Sequence, residues 1–255
     1  MSLQACADIV ARGDPDRFAA AMAAPVAARR VLFPLYAFNV EVARAPWVAS
    51  EPMIGEMRLQ WWRDALEEIR AGRAVRRHEV TTPLSEVLDR DAAEALDRLV
   101  QARRWDLYRD PFEDEAHFDG YLADTGGVLM WTAARLLGAG AAAGDGVNAF
   151  GRATALVRYL SAIPELEARG RIPLVDGRPA AIAELARAAR VALPSRRGLL
   201  RALPSSARPA LIEGWQVRPI LQQISGEPAR VSQGRIGQSE LRRRIGLFRA
   251  ALIGV

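Results

Sequence analysis

The sequence predicts an all-α fold, and three observations carry that prediction. Apolar residues recur at three- and four-residue steps along almost every segment. No run of Val, Ile and Thr alternates as a half-buried strand does. Pro- and Gly-containing stretches such as 138–146 and 173–179 interrupt the periodic segments where turns between helices belong. The elements follow in order. Asp14-Pro15 opens a short helix, with a capping acid and a proline in its first turn. A helix over 26–45 contains Pro34, which removes one backbone hydrogen bond and introduces a kink. Ser50 caps the next helix, with Glu51 and Pro52 in its first turn. Ile54, Met57, Trp61, Ala65 and Ile69 form its apolar stripe, and Arg63 and Glu67 stand four apart on its more polar face. Further helices are expected at 84–108, 113–137, 147–168, 179–191, 207–224 and 236–252. No linker is long enough to divide the chain, so residues 1–255 read as one domain.

Composition bounds the function. With 255 residues, 50% of them hydrophobic and 25% charged, the chain can bury a core without a disulfide or metal staple. All 35 basic residues are arginine, and the net charge is +5. Much of that arginine belongs on solvated helix faces, with an anionic partner as the alternative. Cys6 is the single cysteine. It excludes an internal disulfide and Cys-rich zinc modules and points to a reducing, cytoplasmic location; His78 and His117 alone make no metal site. The longest apolar stretch, around Val31 to Val40, falls short of the ~20 residues that span a bilayer, so a soluble protein or one peripheral to the inner membrane is expected. No nucleic-acid-binding motif is present.

Three blocks in order, Arg30-Val-Leu-Phe-Pro-Leu-Tyr-Ala-Phe38, Tyr121-Leu-Ala-Asp-Thr-Gly-Gly127 and Glu167-Ala-Arg-Gly-Arg-Ile-Pro-Leu174, resemble the squalene/phytoene synthase family. A fourth, Glu51-Pro-Met-Ile-Gly-Glu-Met-Arg-Leu-Gln-Trp-Trp-Arg63, together with Phe38-Asn-Val-Glu41, is similar to the branch that includes a mitochondrial respiratory complex I assembly factor and its bacterial relatives. The resemblance implies an isoprenoid synthase-type helical bundle around a central cavity. Active members join two prenyl diphosphates head to head, using magnesium ions held by two aspartate-rich motifs on facing helices. Arg30, Tyr36, Tyr121, Gly126 and Arg171 in these blocks, with Arg44 and Arg158 outside them, are the candidate cavity or substrate residues.

The departures from the pattern decide the reading. Where the resemblance expects the first pair of aspartates, this chain has Ala43 and Arg44. The only acid nearby is Glu41, about 200° around the helix from Ala43. Where it expects Asp and then Glu-Asp, the chain has Ala162, Glu165 and Leu166, with Glu167 offset. Glu41 and Glu165 are therefore remnants, too few to replace two clusters, and no metal or other cofactor is expected. The expectation is a pseudoenzyme acting as a binding or assembly factor, by resemblance for a respiratory complex I subunit or assembly intermediate, with an isoprenoid or lipid as a further possible ligand. The alternative is a prenyltransferase of isoprenoid or carotenoid biosynthesis, magnesium-dependent or gripping phosphate with Arg30, Arg44 and Arg158.

Four other features carry expectations. Tyr36, Tyr121, Trp61 and Trp131 belong to the core or, alternatively, line the cavity. Gly126-Gly127 in a helical stretch implies a close contact, with another helix or with a ligand. The carboxyl-terminal helix places Leu241, Ile245, Phe248 and Leu252 on one stripe beside Arg242, Arg243 and Arg249. It reads as a last bundle helix whose stripe closes the core, with an anionic membrane or a partner protein as the other reading. A partner surface is expected at Trp47, Glu51 and Arg58, on a loop stiffened by Pro46 and Pro52, with inward packing of Trp47 in the core as the alternative.

Overall fold

The computed structural model describes residues 2–49 and 51–253, save the side chain of Ile253. Among the described residues there is no strand, and the helices surround one continuous apolar core. Helix α1 (Leu3–Gly13) was not anticipated; Ser2 caps it, and its buried Cys6, Ile9 and Val10 pack it on α3. Asp14 starts α2 (Pro15–Ala23) as expected, its carboxylate accepting from the Arg17 backbone N–H at 2.9 Å. Helix α3 (Val26–Val48) runs through Pro34 and continues past residue 45 to include Pro46 and Trp47. The connection to α4 (Pro52–Arg70) is correspondingly short. The Ser50 cap lies outside the described residues, and Glu51 precedes Pro52 at the helix start.

The expected helix at 84–108 is three pieces: α5 (Thr81–Ser85), α6 (Arg90–Ala102) and a 3₁₀ turn (Arg103–Leu107). Asp89 explains the restart, because its side chain accepts from the Ala92 N–H at 2.9 Å and caps α6. Helix α7 (Glu115–Leu122) passes through a π-helical turn (Ala123–Gly127) into α8 (Val128–Leu136) without a break. The long α9 (Gly144–Ala168) packs most closely on that turn. Helices α10 (Pro179–Ala192), α11 (Arg196–Ala202), α12 (Val217–Gly226), α13 (Ala229–Ser232) and α14 (Glu240–Ile253) complete the bundle. The expected 207–224 helix divides into a 3₁₀ segment (Arg208–Gly214) and α12.

Two helices turn a different face inward from the one their stripes suggested. In α4 the inward face is rotated by about 90° from the stripe: Gly55, Leu59, Trp62, Ala65 and Leu66 are buried, Trp61 and Ile69 of the stripe pack partly on the core, and Ile54 and Met57 are exposed, with Met53 beside them. Arg63 bonds Asp97 of α6 at 2.8 Å rather than Glu67, which pairs with Arg70. In α14 Ala250 is buried, while Leu241, Ile245, Phe248 and Leu252 face solvent, so the stripe does not close the core. Small residues explain both departures. A Cβ on Gly55 would lie 2.0 Å from Leu107 Cδ2, and one on Gly246 would lie 3.1 Å from Trp215 Cδ1. Backbone pressed this closely to a neighbour leaves the bulky side chains outside.

Candidate functional site

The middle of α3 is buried on every face from Leu32 to Asn39. The helix, together with α9, the π-helical turn and the Arg103–Leu107 turn, encloses a cavity of about 140 Å³. Asn39 and Trp47 of α3 and Arg158, Tyr159 and Ala162 of α9 line it, so the two segments that carry the family-like blocks share one cavity. Ligand pockets commonly enclose roughly 300–1,000 Å³, so this one has room only for a small group.

The glycines set how close the walls come. A Cβ on Gly126 would meet Ala155 Cβ at 2.4 Å and the Gly151 carbonyl oxygen at 2.7 Å. The π-helical turn, in which the Thr125 hydroxyl donates to the Tyr121 carbonyl at 2.7 Å, therefore lies directly on α9. Gly126 also lines the cavity, so the close helix contact and the cavity wall are the same feature.

Charge in and behind this cavity is organised in two networks. In the first, the Arg17 Nε donates to Glu213 at 2.5 Å and its Nη1 to Asp14 at 2.9 Å, while Arg158 of α9 donates to Asp14 at 2.6 Å and lies 3.9 Å from Glu213. Arg17 and Glu213 are buried. Burial opposes the charge on Arg17, but Glu213 and Asp14 more than offset it and hold its pKa above the ordinary range. The Arg17 guanidinium lies 5.5 Å from the centre of the buried Tyr36 ring. The Tyr36 hydroxyl has no hydrogen-bond partner among the described residues, and burial, reinforced by Glu213, keeps it protonated.

In the second network Arg103 donates to the Tyr121 hydroxyl at 2.6 Å and to Asp106 at 3.1 Å, and Tyr121 donates to Asp106 at 3.0 Å. Burial pushes the Tyr121 phenol well above its usual value. Arg171 holds the 3₁₀ turn from outside the cavity. It donates to the carbonyls of Asp106 at 2.8 Å and Trp105 at 3.2 Å and stacks over Trp105 at 4.0 Å.

Of the residues nominated from sequence, Tyr121, Gly126, Arg158 and Trp47 line the cavity. Tyr36 lies behind it, and Arg30 and Arg44 are exposed and do not join Arg158 in lining it. Glu165 is exposed and pairs with Arg169 at 3.0 Å; Glu41 is half-buried on α3, and neither lines the cavity. Trp47 follows the inward alternative, half-buried and packed on the core with Arg169 over its ring at 4.2 Å. Glu51 and Arg58 are exposed as expected. Trp61 meets Trp62 and His78 edge to face, away from the cavity, and Trp131 lies against Gly144.

Sequence reasoning missed Arg17, Arg103, Asp106 and Glu213. A signal existed for Glu213, a lone acid in the apolar run Pro209-Ala-Leu-Ile-Glu-Gly-Trp215, because a charge so placed is buried only if it is paired.

The first network predicts an acid limb. Burial alone would raise the Asp14 pKa, but Arg158 and Arg17 bring it from 3.8 down to about 2. Because the folded value is the lower one, the stabilisation is complete above about pH 5 and is lost as the pH falls towards 2, amounting to roughly 2 kcal/mol. Urea titrations at stepped pH should show this limb flattened in Asp14→Asn.

Comparison with known proteins places the geometry. Residues 10–175 match the squalene/phytoene synthase family model. The "NADH dehydrogenase (ubiquinone) complex I, assembly factor 6" proteins of Mus musculus and Homo sapiens are each 24% identical over 180 residues, 66% of this chain and 51% of theirs. The chain thus spans about half the length of the curated relatives it matches. A dehydrosqualene synthase crystallised with ligand superposes with a TM-score of 0.71 at 14% identity, over 98% of this chain and 94% of its own. A squalene synthase from Alicyclobacillus acidocaldarius gives 0.69 at 15% identity, over 92% and 95%. The likeness to these two structures carries the fold, an isoprenoid synthase-type bundle. With the family model covering well over half of its length, the chain belongs to the squalene/phytoene synthase family.

Proposed function

We propose that this protein keeps the family fold without its metal-dependent chemistry and serves as a binding or assembly factor for respiratory complex I. The observation that carries the reading is the commitment of the cavity's carboxylates. Asp106 is the one acid among the described lining residues, and Arg103 and Tyr121 occupy it; Asp14 and Glu213 behind it are taken by Arg17 and Arg158. Magnesium needs several free carboxylate and water ligands, so this donor set does not fit it. The positions matching the second aspartate motif support the same reading, since Ala162 and Leu166 face the cavity and Glu165 faces away.

The partner surface follows from α4. Met53 and Met57 stand one turn apart with 73% and 68% of their surfaces exposed, beside Ile54, on the helix that carries the assembly-factor-like block. Exposed methionines of this kind suit an adaptable apolar contact. Removal of the gene from its host should lower the amount of assembled complex I. Wild-type protein should restore it, and Met53→Ser/Met57→Ser should not, with its Tm unchanged. Normal complex I levels in the deletion strain would overturn the assembly reading; restoration by the double variant would move the surface elsewhere.

A further inference from the structure

Helix α14 has two unlike faces. Arg243 reaches Asp16 of α2, Gly246 lies on Trp215 and Ala250 is buried, which fixes the inward face. About 180° around the helix stand Leu241, Ile245, Phe248 and Leu252, with 43–68% of their surfaces exposed. Arg242 and Arg249 flank this stripe on one side and Arg244 on the other. The helix has one acid, Glu240, at its first residue. An outward apolar stripe edged by arginines is the pattern of a helix lying in the plane of an anionic bilayer: the stripe enters the acyl boundary and the guanidiniums reach the phosphates. A second copy of the chain fits less well, because a two-fold contact sets the same patch against itself and brings arginines together. No helix among the described residues is long and apolar enough to cross a membrane, so attachment would be in-plane.

We infer that α14 docks the protein on anionic lipid surfaces through Leu241, Ile245, Phe248 and Leu252 with Arg242 and Arg249. The inference is independent of the assembly role.

Flotation with phosphatidylcholine vesicles, with and without phosphatidylglycerol, tests it. Binding is expected only with phosphatidylglycerol and should fall at high salt. Arg242→Gln/Arg249→Gln should weaken binding roughly thirtyfold, and Ile245→Ser/Phe248→Ser should abolish it, with the Tm of each variant confirming the fold. Cys6 is buried and its thiol is pushed up to about 12, first by burial and then by Glu79, so a fluorophore on Phe248→Cys labels selectively. Its emission should shift to the blue on anionic vesicles. Failure to float with anionic vesicles at low salt would overturn the inference and leave the stripe to a protein partner. Flotation with the probe still in water would overturn it equally, since another surface would then hold the lipid.

Discussion

Glu213→Gln should destabilise the protein by about 3–5 kcal/mol, because it leaves the guanidinium of Arg17 buried without its counter-charge. The side chain keeps its shape, so the loss reports charge rather than volume. Asp14 remains on the other edge of Arg17, but it is shared with Arg158. The pair itself need not be a net source of stability, since two desolvated ions cost about as much to bury as their attraction returns. Arg17→Met/Glu213→Leu should therefore recover most of the loss. Urea unfolding of the wild type and the two variants checks this; a single replacement costing under about 1 kcal/mol would contradict the pairing.

Gly151→Ala should cost about 2–3 kcal/mol, even though alanine is the better helix former by about 1 kcal/mol. The added Cβ would lie 2.6 Å from the Gly126 carbonyl oxygen, 2.9 Å from Met130 Cβ and 3.0 Å from Gly127 Cα. Two of these three obstacles are backbone, so no side-chain rotation relieves them, and α9 must part from the π-helical turn. Gly120→Ala is the control. Nothing lies within 4 Å of its Cβ, and it should stabilise α7 by roughly 0.5–1 kcal/mol. Equal effects at the two positions would show that the helices are less closely packed than described.

The all-α fold was legible because helical periodicity is local and repeated, and because cap residues such as Asp14 announce helix starts in the chain itself. The cavity was half legible. Tyr121 and Gly126 lie in a block whose order could be read, but Arg17 and Glu213 are 196 positions apart, and nothing local pairs them. Facing was the weakest part. An apolar stripe on α4 or α14 says that the helix has two sides, not which is covered. Gly55, Gly246 and Ala250 decide that by allowing close approach on their own sides of the helix, and small residues leave no mark in an apolar pattern.

The central claim is that the fold persists without metal-dependent ionisation of prenyl diphosphates. Incubation with farnesyl or geranylgeranyl diphosphate and magnesium, followed by product analysis and measurement of released diphosphate, tests it most directly. The arrangement of Asp14, Asp106 and Glu213, each bound to arginine, predicts no head-to-head product and no diphosphate released above the protein-free control. Magnesium-dependent formation of a condensed isoprenoid would contradict it and would restore the prenyltransferase reading.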